Sequence, residues 1–238
     1  MVTKSPGRKI REVMVMTTPS RVPFQGGKFF RPLLFIGLLT VSKCVVRGFA
    51  WILPYDAGLR TVVMESVSLL IIPTLYAFIS GREFARIFRL ESIKLKMIIF
   101  IIICSVFFAV PLYAVSIIIS FIQGQPRDQF IHILIAENPV VTFLAVVIVA
   151  PVTEEIIYRG ILLDALEALD EGKRSYLSVV LSGVIFGVSH LDLTQFPTAC
   201  LSGILFSVLV LRFRSLYAGM LSHAVLNGLS LLAAAANN

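Results

Sequence analysis

Two adjacent glutamates and an arginine, Glu154, Glu155 and Arg159, interrupt the apolar run around Ile156, Ile157 and Tyr158. Ionisable groups in or beside a membrane span are expensive and mark function by default. On a helix Glu155 and Arg159 stand at i, i+4 with the acid first, the favoured order for an ion pair. In a dry site that pair neutralises one carboxylate. Glu154 points about 100° away, toward Tyr158, and stays available as a base. The competing reading is a cytoplasmic helix end with solvated charges, which suits the following Asp164, Glu167, Asp170 and Glu171. Just upstream, Pro151 and Thr153 are residue types found at helix starts.

Two later segments supply what such a carboxylate needs. His190 follows Phe186 by one helical turn. A lone histidine on an apolar helix is more often a satisfied core residue than a ligand. Yet the chain has 3 histidines, and two of them fall inside apolar spans. Gly183 and Gly187 also allow close backbone approach on the same helix. His223 and Asn227 again stand at i, i+4 and share a face. An imidazole beside an amide forms a donor pair for a developing oxyanion. A polar contact between helices is the plainer alternative. His132, beside Glu137 and Asn138, reads as a solvated loop residue. A glutamate and a histidine can share a water and deprotonate it for attack on a carbonyl. Equally, Glu154, His190 and His223 form the one-Glu, two-His ligand set of catalytic zinc sites. No HExxH is present, so the usual soluble zinc-protease helix is absent.

The elements that must position these groups are membrane helices. The chain has 238 residues, 57% of them hydrophobic and 15% charged, with mean hydropathy +0.90. A soluble domain carries about 45–50% apolar and about 25% charged residues, so the balance is that of a polytopic all-α membrane protein. Spans of about 20 residues are expected near 33–53, 61–80, 97–122, 140–158, 176–193, 197–211 and 215–235, giving about seven transmembrane helices. Lys43 and Arg47 lie on one face of the first, which makes it the weakest span; a substrate contact and an interfacial helix are its alternatives. Basic residues cluster in the tail, around Arg82 to Lys96, at Lys173 and Arg174, and at Arg212 and Arg214, while alternate loops carry Arg60 and Arg127. By the positive-inside rule this alternation places the N-terminus in the cytoplasm. Residues 1–31 form a basic cytoplasmic tail, with an organelle transit peptide as the minor alternative. Residues 32–238 form a single transmembrane domain. Net charge is +7, confined to the tail and loops, and does not argue for nucleic acid. Cys44, Cys104 and Cys200 are unpaired in spacing and read as reduced, packed thiols.

Glu154-Glu155-x-x-x-Arg159, Phe186-x-x-x-His190 and His223-x-x-x-Asn227, in this order across successive spans, resemble the CPBP family of intramembrane proteases. That family includes the type II CAAX prenyl endopeptidases and the bacterial Abi proteins linked to bacteriocin processing and immunity. The resemblance covers about 140–235 and extends to Gly160 through Leu163 and to Ser215 through Met220. It implies an endopeptidase acting on membrane-associated, prenylated (CAAX-type) protein or peptide substrates. It implies that Glu154 and His190 activate water and that His223 and Asn227 form the oxyanion site, with Glu155 and Arg159 in support. Tyr158 replaces the family's usual Phe and keeps the ring. The family has been described both as metal-dependent and as glutamate-dependent without metal. The reading without a cofactor is favoured here, because the His-x-x-x-Asn pair suits an oxyanion better than a metal; zinc or another divalent ion on Glu154, His190 and His223 is the alternative.

One geometric difficulty stands. If both spans are straight and fill a core about 30 Å thick, Glu154 and His190 miss each other by roughly 10 Å at 1.5 Å per residue. Either the fifth helix starts outside the bilayer or the fourth is broken near Pro151. The competing functions are a non-catalytic membrane scaffold or bacteriocin-immunity protein of the same fold, and a transporter. A transporter would more readily show paired repeats, which the sequence lacks.

Overall fold

Long apolar runs closed by proline, glycine and basic residues can satisfy their backbone in lipid only as helices. A computed structural model describes residues 57–80, 91–124, 138–169, 176–190 and 192–236, with shorter pieces at 30, 34–39, 41–42, 45, 89 and 135–136. Every element among them is helical. In chain order these are α1 (Ala57–Ser80), α2 (Leu95–Gln123), α3 (139–169), α4 (Tyr176–Val188), α5 (Phe196–Phe213) and α6 (Leu216–Ala236). Helical residues at 34–39 belong to the first expected span and give the bundle a seventh segment. Lys43, Cys44, Arg47, His132, Glu137, Asp170, Glu171 and the loop cations Arg82, Arg86, Arg127, Lys173 and Arg174 lie outside the described residues.

Among the described residues four stretches are long and apolar enough to cross a membrane: Leu95–Gln123, Pro139–Glu167, Phe196–Phe213 and Leu216–Ala236. The protein is therefore an integral membrane helix bundle. Helix α2 shows it most plainly: Phe107, Val110, Phe121 and Ile122 stand exposed, Phe121 at 86%. A surface of that character belongs against lipid tails.

Helix α3 departs from the sequence expectation in three ways. It does not start at Pro151. Asn138 caps it, its side chain accepting from the Val141 N–H at 3.1 Å, and Pro139 occupies the first turn. The Thr153 hydroxyl instead donates to the Val149 carbonyl at 2.8 Å, inside the helix. Nor does α3 end near residue 158. It runs on to Leu169, and Asp164 and Glu167 pair with Arg89 at 3.8 Å and 2.5 Å rather than standing solvated. Finally, it is unbroken at Pro151. Two π-helical turns, Leu144–Val149 and Ile156–Leu162, flank the α-helical segment Ala150–Glu155 that carries both glutamates.

These changes remove the depth conflict. Glu154 lies 15 residues, about 22 Å, from the Leu169 end. Helix α4 is only 13 residues long and stops at Val188, short of the expected residue 193. His190 follows in a turn, 14 residues and about 21 Å from Tyr176. Both groups therefore sit at one level, measured from the end where α3 hands over to α4. That same end holds the Arg89 contacts, the Leu216 N–H donating to the Arg89 carbonyl at 3.2 Å, and the Ser215 hydroxyl donating to the Glu91 carbonyl.

Small residues let α4 and α5 approach. The backbones meet at Gly183, Gly187 and Gly203. A Cβ on Gly187 would fall on the Cys200 thiol and 2.9 Å from the Phe196 carbonyl oxygen. The close approach expected of Gly183 and Gly187 is present. Cys104 and Cys200 are free thiols. Gly187→Ala is expected to cost about 1–3 kcal/mol through overpacking, read as a lowered unfolding temperature in detergent. Gly228→Ala, whose new methyl would meet nothing nearer than 3.9 Å, should leave that temperature unchanged or raise it slightly.

Candidate active site

The site is built around a fully buried ion pair. Arg159 Nη1 donates to Glu155 Oε1 at 2.8 Å, and both side chains are 0% exposed. The i, i+4 spacing anticipated this bond. The sequence did not reveal its surroundings. Arg159 Nη2 donates to the Gly203 carbonyl of α5 at 2.9 Å. The guanidinium lies 4.5 Å from the Phe186 ring centroid and 5.2 Å from that of Phe206, so two aromatic faces replace part of its hydration. Gly219 of α6 makes room for the acid: a Cβ there would come within 2.5 Å of Glu155 Oε2.

His223 joins this pair to the second glutamate. Its Nδ1 lies 3.1 Å from Glu155 Oε1 and its Nε2 lies 3.8 Å from Glu154 Oε2. Because an ionised carboxylate can only accept, Nδ1 carries the proton toward Glu155. Two aromatic rings hold the imidazole, Phe206 stacked at 4.6 Å and Phe186 in a T-shaped contact at 5.8 Å. Arg159, Glu155, His223 and Glu154 thus form one chain of alternating charge-bearing groups. Glu154 is the most exposed of the four, with 20% of its side chain open against 6% for His223.

That exposure faces a cavity of about 340 Å³, lined by Glu154, His190, His223 and Asn227 together. The structure brings all four sequence-chosen residues to one space. His190 Nδ1 lies 2.9 Å from the Phe186 carbonyl. A carbonyl can only accept, so Nδ1 is the donor and the neutral ring keeps its lone pair on Nε2. Phe186 also holds the ring edge-on at 4.8 Å. Asn227 Nδ2 donates to the Val146 carbonyl of α3 at 2.8 Å. Sequence reasoning missed Phe206, Gly203 and Gly219, and also the polar wall that Gln195, at the N-cap of α5, and Thr198 and Ser202 within it contribute to the cavity. Gly219 had a signal in the run leading to His223; the α5 wall had none stronger than polar residues at i, i+3 and i+7.

The same atoms bear on metal binding. His223 Nδ1 is engaged by Glu155 and His190 Nδ1 by a carbonyl, which leaves each ring one nitrogen for a ligand. Among the described residues no three His, Cys, Asp or Glu side chains converge as a metal-ion cage.

Residues 136–229 match the family model for type II CAAX prenyl endopeptidases of Rce1-like type. This is the CAAX-protease family that the three motifs resemble, and the matched region contains Glu154, Glu155, Arg159, His190, His223 and Asn227. The family is a protease family, which supports a peptidase with peptide or prenylated-protein substrates. No curated protein and no solved structure matches the chain.

Removing one member of the buried pair strands the other. Arg159→Met is expected to destabilise the protein by about 3–5 kcal/mol. The double variant Glu155→Gln/Arg159→Met should lose clearly less than the sum of the two single variants. Denaturant unfolding in detergent reads both.

Proposed function

We propose that this chain, whose residues 136–229 match the family model for Rce1-like type II CAAX prenyl endopeptidases, hydrolyses peptide bonds inside the membrane with Glu154 as its base. The observation that carries this reading is the division between two neighbouring carboxylates. Glu155 is sealed and paired with Arg159, while Glu154 opens into the cavity that His190 also lines.

In this reading a water in the cavity is held by Glu154 and by Nε2 of His190. Glu154 takes its proton as the oxygen attacks the scissile carbonyl carbon. The carbonyl oxygen becomes an oxyanion, and the Asn227 amide N–H that Val146 leaves unused is the available donor, joined by His223 Nε2 when that nitrogen carries a proton. Collapse of the tetrahedral intermediate expels the amine, and the proton held on Glu154 passes to it. Glu155 and Arg159 hold His223 in place and do not touch the substrate. The arrangement of donors supports chemistry without a bound metal. The cavity has a polar wall on α5 and an apolar wall from Ala109, Leu112 and Tyr113 of α2 with Leu229 and Ala233 of α6. That pairing suits a peptide joined to an apolar group. With the cations Arg89, Lys94, Arg212 and Arg214 near one end of the bundle, the positive-inside rule makes that end, and the N-terminus, cytoplasmic.

The test is cleavage by purified protein of peptides ending in a prenylated Cys-aliphatic-aliphatic-X sequence, with unprenylated membrane-anchored peptides alongside. Glu154→Gln and His190→Ala should each lower kcat by about 10²–10⁴-fold, with unfolding temperatures near that of the unaltered protein. Activity should survive a chelator. Loss on chelation with recovery on zinc would overturn the metal-free mechanism. Absence of cleavage by well-folded protein would favour a non-catalytic membrane scaffold.

A further inference from the structure

The contact between Asn227 and Val146 has its cause in the backbone of α3. At the end of the π-helical turn Leu144–Val149 the register runs five residues back, the Ala150 N–H donating to the Ala145 carbonyl. In that register the next donor, residue 151, would serve the Val146 carbonyl. Residue 151 is proline and has no N–H. Val146 is thereby left without a main-chain donor, in a helix where each carbonyl needs one. Asn227 Nδ2 supplies it from α6 at 2.8 Å.

We infer that Pro151 is a positioning residue for the oxyanion site: its missing N–H frees the Val146 carbonyl to fix which way the Asn227 amide faces. The inference rests on the reading of Asn227 as an oxyanion donor. A carbonyl accepts only from the nitrogen side of an amide, so this bond sets the amide's orientation. One N–H of Nδ2 is used on Val146 and the second remains for the cavity that Asn227 lines. An amide turned over would present Oδ1 lone pairs to a developing negative charge. The proline, buried beside Glu154, thus links the glutamate segment of α3 to the donor on α6 through a single backbone oxygen.

The experiment is a double-variant cycle on the full chain in detergent, read by unfolding temperature and by cleavage of a fluorogenic prenylated peptide. Proline is the poorest helix former, so Pro151→Ala keeps the helix and restores an N–H. It is expected to lower kcat by about ten- to a hundredfold with KM within about twofold, and to add nothing further in an Asn227→Ala background. Replacing residue 151 by the hydroxy-acid analogue of alanine, which lacks both ring and N–H, should restore kcat. The temperature drop caused by Asn227→Ala should shrink when Pro151→Ala is also present, because the restored N–H then serves Val146. Additive temperature shifts would overturn the link between Pro151 and Asn227, whether or not the protein cleaves the peptide. Coupled temperature shifts with an unaltered kcat in Pro151→Ala would overturn the positioning role. A protein that cleaves nothing fails the peptidase reading instead, and the temperature cycle still decides the link.

Discussion

Everything at the site leans on the Glu155–Arg159 pair. A charge at bilayer depth costs at least about 2.5–3.5 kcal/mol even where it relaxes toward water. Here two charges are wholly shut in, so each must be met by the other and by further partners. The partners come from three helices: Gly203 and Phe206 from α5, Phe186 from α4, and His223 and Gly219 from α6. Satisfying one arginine and one glutamate therefore fixes how four helices meet. The same contacts set the His223 ring, and the His223 ring faces Glu154. In the proposed mechanism stability and chemistry share one set of side chains and use opposite members of a Glu-Glu dipeptide.

The helix that carries the dipeptide is irregular for the same reason. Turns of π-helix are enriched at functional sites because they redirect side chains and free backbone groups. In α3 one such turn lies before the glutamates and one after. The first takes up Pro151 without a break. The second carries Tyr158 and Arg159 into the core, where Tyr158 meets Phe186 at 5.0 Å and Phe35 at 6.4 Å. A regular helix broken by proline would have parted the glutamates from the helix ahead of them. Instead α3 runs through, and its length beyond the glutamates brings Glu154 level with His190.

Much of this was readable from the residues. Helix positions followed from apolar runs, because lipid leaves the backbone no alternative. Glu155–Arg159 and Phe186–His190 followed from i, i+4 spacing, which fixes a face regardless of context. What failed were boundaries and backbone detail. Asp164 and Glu167 looked like the solvated end of a span, because a sequence does not show that Arg89, far away in the chain, meets them. Pro151 and Thr153 looked like a helix start, because proline marks both starts and accommodated irregularities. The end of α4 at Val188 was missed for another reason: Leu191 and Leu193 seemed to carry the apolar run past Ser189, His190 and Asp192. Phe206 and Gly203 were invisible, since their importance lies in what Arg159 needs, and nothing local announces it.

The central claim is that two adjacent carboxylates are split, one sealed and one open to the cavity. Treating the detergent-solubilised protein with a membrane-permeant carbodiimide and mapping the adducts by mass spectrometry tests it most directly. The account predicts modification at Glu154, in step with loss of peptide cleavage, and an unmodified Glu155. Equal modification of both, or adducts on Glu155 alone, would contradict it.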